Sequence, residues 1–195
     1  MLKELFFILL FFSFCTIRAE ETVAFDIYLF GNKVGEVVAS HEKRTDGTDR
    51  YRLVTKASAK ILWIVRNQSS TYDVVYKDGQ LLSSTHFSRD NDDVKSCKVT
   101  RDANGISATN HEGKVFSYKE VPVYSIVKLY FQEPKNINHF FDESDGHYLS
   151  ISSSQKGKYE FKRRNGDKSV YYYVNGVPSD LEFHTSIVSV KLKRR

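Results

Sequence analysis

Short runs of alternating apolar residues, punctuated by dipeptides of Asn, Asp and Gly, fill most of this sequence, and they restrict its fold more than any other feature. Asn-Gly between two such runs favours a type I′ hairpin, because both central residues need positive φ. Asn104-Gly105, Asn165-Gly166 and Asn175-Gly176 supply that signal. Gly31-Asn32, Asp46-Gly47, Asp78-Gly79, Asn91-Asp92, Glu112-Gly113 and Lys156-Gly157 mark further turns. Between turns the period is two: Phe25, Ile27 and Leu29 share one face, as do Tyr72, Val74 and Tyr76. Val188, Val190 and Leu192 alternate with Ser189 and Lys191 in the same way. Further strands are expected over 34–43, 49–59, 81–89, 94–101, 106–110, 115–119, 147–153, 158–163, 168–174, 177–184 and 186–193. The pattern predicts an all-β, antiparallel, mostly up-and-down fold, either a barrel or a strongly curved half-barrel. Closing the sheet would also remove its vulnerable edges.

One stretch departs from that period. In Tyr124–Gln132, Ile126, Leu129 and Tyr130 fall at helical spacing, Ser125 stands at an N-cap position and Pro134 lies just beyond. A short helix over about 124–132 is expected, packed across the curved sheet or plugging one barrel end.

The first residues read as a secretory signal. Lys3 precedes an almost unbroken apolar run from Leu5 to Phe14, and Ile17-Arg18-Ala19 closes on a small residue before Glu20 and Glu21. That run is too short for a transmembrane helix, which needs about 20 residues. No later run is long enough either, so no transmembrane span is expected. Residues 1–19 are therefore expected to be cleaved and 20–195 to form a single β-barrel-like domain in the periplasm or outside the cell. Cys15 would leave with the signal, and Cys97, alone in the remainder, is expected to be a packed strand residue.

Composition and spacing point away from several functions. The net charge is +5, and the basic clusters Lys162-Arg163-Arg164 and Lys191, Lys193, Arg194 and Arg195 read as a solvated hairpin end and a charged terminus. No nucleic-acid partner is expected. The six His residues lack metal-ligand spacing, and Asp142, Glu143, Asp145 and His147 gather around Gly146 where a polar loop is expected anyway. His184 could be imagined in a triad with Ser150, Ser152 or Ser153, but only geometry makes a triad. No enzyme activity, metal or cofactor is expected.

The run Ile61-Leu62-Trp63-Ile64-Val65 is apolar on both faces, unlike its neighbours. A fully buried strand or packed bend accounts for it. The functional reading is an apolar ligand cavity or mouth built from Lys60, Ile61, Leu62, Trp63 and Arg66, with Tyr72 and Tyr76 as amphipathic walls and the two cations as anion partners.

The stretches FDIYLFGNKVGEV, YRLVTKASAKILWIVRNQSSTYDVVYKDGQLLSS and YYYVNGVPSDLEFHTSIVSVKLKR resemble an uncharacterised family of exported bacterial proteins. More distantly they resemble domain-of-unknown-function families of the Gram-negative envelope with a lipocalin-like or lipoprotein-carrier-like fold. The marks are the early hairpin with Gly35, the K-A-x-A-K-I-L-W stretch and the closing L-E-F-H strand. The resemblance implies no catalytic residues. The expectation is an exported β-barrel that binds an apolar or amphipathic ligand such as lipid. The alternative is a non-enzymatic structural or protein-interaction module of the envelope, with an envelope protein as its partner.

Overall fold

The structure, a computed structural model, describes residues 20–61 and 63–195, with Ile61 through its backbone alone. The signal-peptide reading of residues 1–19 lies outside the described residues, as does Leu62. Among the described residues fourteen strands follow one another: β1 (Glu20–Leu29), β2 (Asn32–Lys43), β3 (Thr48–Ile61), β4 (Ile64–Lys77), β5 (Gln80–Asp90), β6 (Asp93–Asp102), β7 (Gly105–Asn110), β8 (Val115–Tyr118), β9 (His139–Asp142), β10 (His147–Gln155), β11 (Lys158–Lys162), β12 (Lys168–Val174), β13 (Val177–His184) and β14 (Ser189–Arg194). They form one antiparallel sheet in which sequence neighbours pair, except that β1 also pairs with β14 and that β8 and β9 are the two edges. The expected all-β meander is what the chain adopts. Asp78-Gly79 and Asn175-Gly176 hold positive φ at both residues, as a type I′ hairpin needs, whereas at Asn104-Gly105 and Asn165-Gly166 only the glycine does, so the type I′ expectation there is corrected.

No ladder joins the edges, so the sheet is curled but not closed by backbone hydrogen bonds. Side chains meet across the seam instead. The Tyr118 hydroxyl on β8 donates to the Gly146 carbonyl at 3.1 Å and lies 2.7 Å from His147 Nδ1, and its ring packs edge-on against Phe141 and Tyr148. Tyr148 donates to the Glu120 carbonyl, and His139 pairs with the Glu120 carboxylate at 3.0 Å. This chain of contacts covers both edges, which would otherwise invite pairing with another molecule.

The link between β8 and β9 runs inward as a plug. Its centre is a 3-10 helix over Ile126–Tyr130, and all five of those residues are buried. The helix is shorter and tighter than the expected 124–132, with i to i+3 bonds from Lys128 N–H to the Ser125 carbonyl and from Phe131 N–H to the Lys128 carbonyl. Ser125 occupies the N-cap position, but its side chain does not cap. The Ile126 N–H is taken instead by Glu143 Oε2 at 3.1 Å, from the turn between β9 and β10.

The inward faces of the strands close around the plug. Phe25 meets Tyr130 edge-on, Tyr130 meets Tyr171, and Phe131 packs against His41 and Tyr51. Tyr173 donates to the Leu129 carbonyl at 2.7 Å, and Tyr124 donates to that of Gln132 at 2.7 Å. One apolar cluster spans β1 to β14 together with the plug, so the interior is occupied by the protein itself.

Two local expectations need correction. The last strand begins at Ser189, not 186, because Thr185 Oγ1 accepts the N–H groups of Ile187 and Val188 and folds 185–188 into a turn. Strand β9 was not expected; its Phe140-Phe141-Asp142 triplet is buried throughout and lacks the alternation that marks the other strands.

Candidate functional site

Antiparallel up-and-down order sorts the turns onto two rims. Every odd-numbered strand ends at one of them, which therefore carries Trp63 and residues 30–31, 91–92, 111–114, 143–146, 163–167 and 185–188. The opposite rim carries the plug, where Leu81 N–H bonds to the Pro122 carbonyl.

Strands β3 and β4 reach farthest on the first rim. They pair without interruption from Thr48↔Lys77 to Ile61↔Ile64, with Trp63 in the turn before β4. The flanking ladders stop earlier, at Gly35↔Ala57 on β2 and Gln68↔Asp90 on β5. Beyond those rungs, Ser58–Ile61 and Ile64–Asn67 form a two-stranded ribbon with no third strand, projecting about 14 Å at roughly 3.4 Å per residue. Bare ribbons of this kind are marginal in water. This one is braced by side chains: Ser58 Oγ donates to Asn67 Oδ1 at 2.8 Å, and Arg66 pairs with Asp90 at 2.6 Å. From the β5–β6 turn, Asn91 accepts the Asn67 N–H on its own side-chain oxygen, donates its backbone N–H to the Asn67 carbonyl and donates its amide to the Val65 carbonyl.

The tip of this ribbon is apolar and in water. Trp63 is 80% exposed, Ile64 54% and Val65 52%. The expected fully buried strand or packed bend is therefore corrected: the long ladder fixes the register, and the register places the run past the point where the sheet has neighbours. On the same rim, Phe30 and Ile187 at the β1–β2 and β13–β14 turns are 73% and 83% exposed. They border an open groove of about 580 Å³ whose walls include Tyr28, Lys191 and Lys193.

The six described residues among the seven singled out from the sequence do not meet in one place. Lys60, Ile61, Trp63 and Arg66 belong to the projecting ribbon. Tyr72 and Tyr76 lie farther down β4 and point into the core. Tyr72 leans on the buried His86 ring at 4.3 Å, and Tyr76 donates to Ser125 Oγ at 2.5 Å beneath the Lys128 ammonium, 3.6 Å above its ring. Tyr76 holds the plug, Tyr72 packs on the neighbouring strand, and neither stands at the ribbon.

The interior also holds a polar cluster that sequence reasoning missed. Burial pushes the Glu143 carboxyl up to about 8 and draws the Lys128 ammonium down to about 8, while Lys128 donates to the Val123 carbonyl at 2.7 Å. Burial likewise lowers His86 to about 4 and raises Cys97 to about 12. Asp142, fully buried, faces Arg163 at 3.1 Å and accepts from Ser144. Charged residues are rarely buried unless paired, but nothing in the spacing of these residues announces that they converge.

The other constellations resolve into local structure. Asp142, Glu143 and His147 point to different partners, and among the described residues no three His, Cys, Asp or Glu gather as a metal-ion cluster. His184 Nδ1 lies 2.9 Å from Ser189 Oγ and its Nε2 lies 3.2 Å from Glu182, away from Ser150, Ser152 and Ser153 on β10. In the hydrolase triad it is Nε2 that faces the serine, so these nitrogens are in reverse order. Glu182 is shared with Lys191 at 3.0 Å, and the group lies on the outer face as a cross-strand network.

A family described as a domain of unknown function (DUF6134) matches residues 25–195, nearly everything from the first strand to the last. The chain belongs to this family. No curated protein matches. Among solved structures, a β-barrel-like protein of domain of unknown function DUF1849 from Brucella abortus superposes with a TM-score of 0.47 at 9% identity, over 90% of this chain and 95% of that one. In this member of the DUF6134 family the projecting ribbon and the plug are thus parts of a domain without an assigned activity.

Proposed function

We propose that this is an exported, non-enzymatic β-barrel-like protein that engages an apolar or amphipathic ligand such as lipid through the tip of the β3–β4 ribbon. The observation that carries this reading is the exposure of Trp63, Ile64 and Val65 together on a ribbon that specific hydrogen bonds hold out from the sheet. Contiguous exposed apolar surface on a soluble protein marks an interaction site, and Trp combines apolar area with a polar N–H suited to an amphipathic partner. The plug supports binding outside the barrel over carriage within it, since its side chains fill the curled sheet. The signal-like residues 1–19 support export to where such ligands are met.

Flotation of the purified protein with vesicles of mixed bacterial lipids tests the reading. The wild-type protein is expected to float, and a Trp63→Ser, Ile64→Ser variant to stay in the dense fraction. A wild-type protein that stays down with every lipid offered would refute lipid engagement and favour the envelope-module alternative, in which the same tip would bury a protein partner.

A further inference from the structure

We infer that the partner of this rim is the surface of an anionic bilayer, met end-on by two separate apolar points; this rests on the lipid reading above and names its target. The first point is the ribbon tip with Trp63, Ile64 and Val65, and the second is the pair Phe30 and Ile187, standing on turns of the same rim. Counted along the sheet from the β3–β4 turn, the β1–β2 turn with Phe30 lies two inter-strand steps of about 4.8 Å away, roughly 10 Å, and the β13–β14 turn with Ile187 lies four steps away, roughly 19 Å. A single small ligand fills one concavity, whereas points this far apart on projecting turns are matched together by a broad, flat partner.

Charge on the rim selects the kind of surface. The ribbon and its base, from Lys56 to Gln68, carry Lys56, Lys60 and Arg66 and no acidic residue. Lys60 is exposed beside the tip. On the same rim the β11–β12 turn brings Lys162 and Arg164, both exposed. Near the second point Lys193 lies 5.7 Å above the Tyr28 ring, while Lys191 is held by Glu182. Several acidic residues on this rim are engaged by bases, Asp90 by Arg66, Asp93 by Lys95 at 3.6 Å and Glu112 by Lys114 at 2.6 Å, while Asp92, Asp145 and Asp167 also stand on it. Aromatic and apolar tips flanked by unopposed lysines suit the boundary of a negatively charged leaflet, where indole rings settle at headgroup depth and basic side chains meet phosphates.

The test uses the intact protein with vesicles of phosphatidylcholine alone and of an equal mixture with phosphatidylglycerol, read by co-sedimentation. Partitioning onto the mixed vesicles is expected to be at least about tenfold stronger and to weaken with added salt. Lys60→Gln with Lys162→Gln should reduce binding to the mixed vesicles alone, and Phe30→Ser with Ile187→Ser should reduce binding to both. All four side chains are exposed or at turns, so unchanged thermal melts will confirm that the variants fold. Equal binding to the two vesicle types would overturn the anionic-surface inference and leave the lipid reading standing. Binding of lysolipid monomers without vesicle binding would do the same. Binding to no lipid at all would overturn both.

Discussion

Two apolar runs interrupt the period-two pattern of this chain, and they end in opposite places. Ile126–Tyr130 lies wholly inside, wrapped by tyrosines from β4 and β12, whereas Trp63-Ile64-Val65 stands wholly outside at the end of a ribbon. Hydrophobicity does not separate them. What separates them is whether other strands are placed to cover them. The plug joins the two sheet edges, so the curl that brings those edges together closes over it. The tip belongs to two strands that outrun their neighbours, so no neighbouring strand covers it. An apolar run is therefore evidence of burial only where the topology supplies a cover, and evidence of a partner where it does not.

Removing apolar volume from the two runs should show the contrast most sharply. Leu129→Ala empties a site at the centre of the plug and is expected to cost about 2–5 kcal/mol in denaturant unfolding. A cost under about 1 kcal/mol would mean that the plug is loosely seated.

The next largest effect is expected from pH. Glu143 is held protonated in the folded chain up to about 8 and ionises at ordinary carboxylate pH when unfolded, so its contribution falls as pH rises between those values. Buried His86 acts in the opposite sense, adding stability as pH rises from about 4 to 6.5. The two offset each other in mildly acidic solution. Above that window Glu143 acts alone, and stability should fall by about 2 kcal/mol between pH 6.5 and 8. From about 8 to 9 the buried Lys128 should restore stability, because the unfolded chain then holds the extra proton, and above 9 the buried Cys97 thiol, raised to about 12, offsets it. Glu143→Gln keeps an acceptor for the Ile126 N–H and should flatten the fall between pH 6.5 and 8. A mutant profile parallel to that of the wild type would remove Glu143 from the explanation.

A smaller loss, about 1 kcal/mol, is expected for Tyr118→Phe, which deletes the hydroxyl bonded to Gly146 and His147 across the seam while keeping the ring. Hydrogen exchange should then quicken first in β8 and β9; uniform quickening would show that the seam is not a local weak point. The smallest effect belongs to the tip. Trp63→Ala should change stability by less than about 0.5 kcal/mol while removing lipid engagement, the reverse of Leu129→Ala.

The two runs also mark how far the sequence could be read. Turn dipeptides such as Asp78-Gly79 and Asn175-Gly176 have a local cause in positive φ, so the meander was legible from them. The helical spacing of Ile126, Leu129 and Tyr130 found the plug, although tyrosine and carboxylate partners from distant strands tightened it into a 3-10 turn. The stretch from Ile61 to Ile64 carries no Asn, Asp or Gly, so nothing local announced a turn between β3 and β4, and only the register of the fourteen rungs between them creates it. The polar cluster was illegible for a related reason: Lys128, Glu143 and Arg163 come from three separate segments that only the curl of the sheet brings together.

Trp63 is the only tryptophan in the chain, so its fluorescence reports the tip without labelling. The most direct measurement is its emission and its quenching by acrylamide, in buffer and then with lipid vesicles added. An indole open to quencher in buffer that shifts to the blue and becomes shielded on vesicles is the expected result. An indole already shielded in buffer, or one that stays open and unshifted at saturating lipid, would contradict the central claim that this run is held outside for lipid to cover.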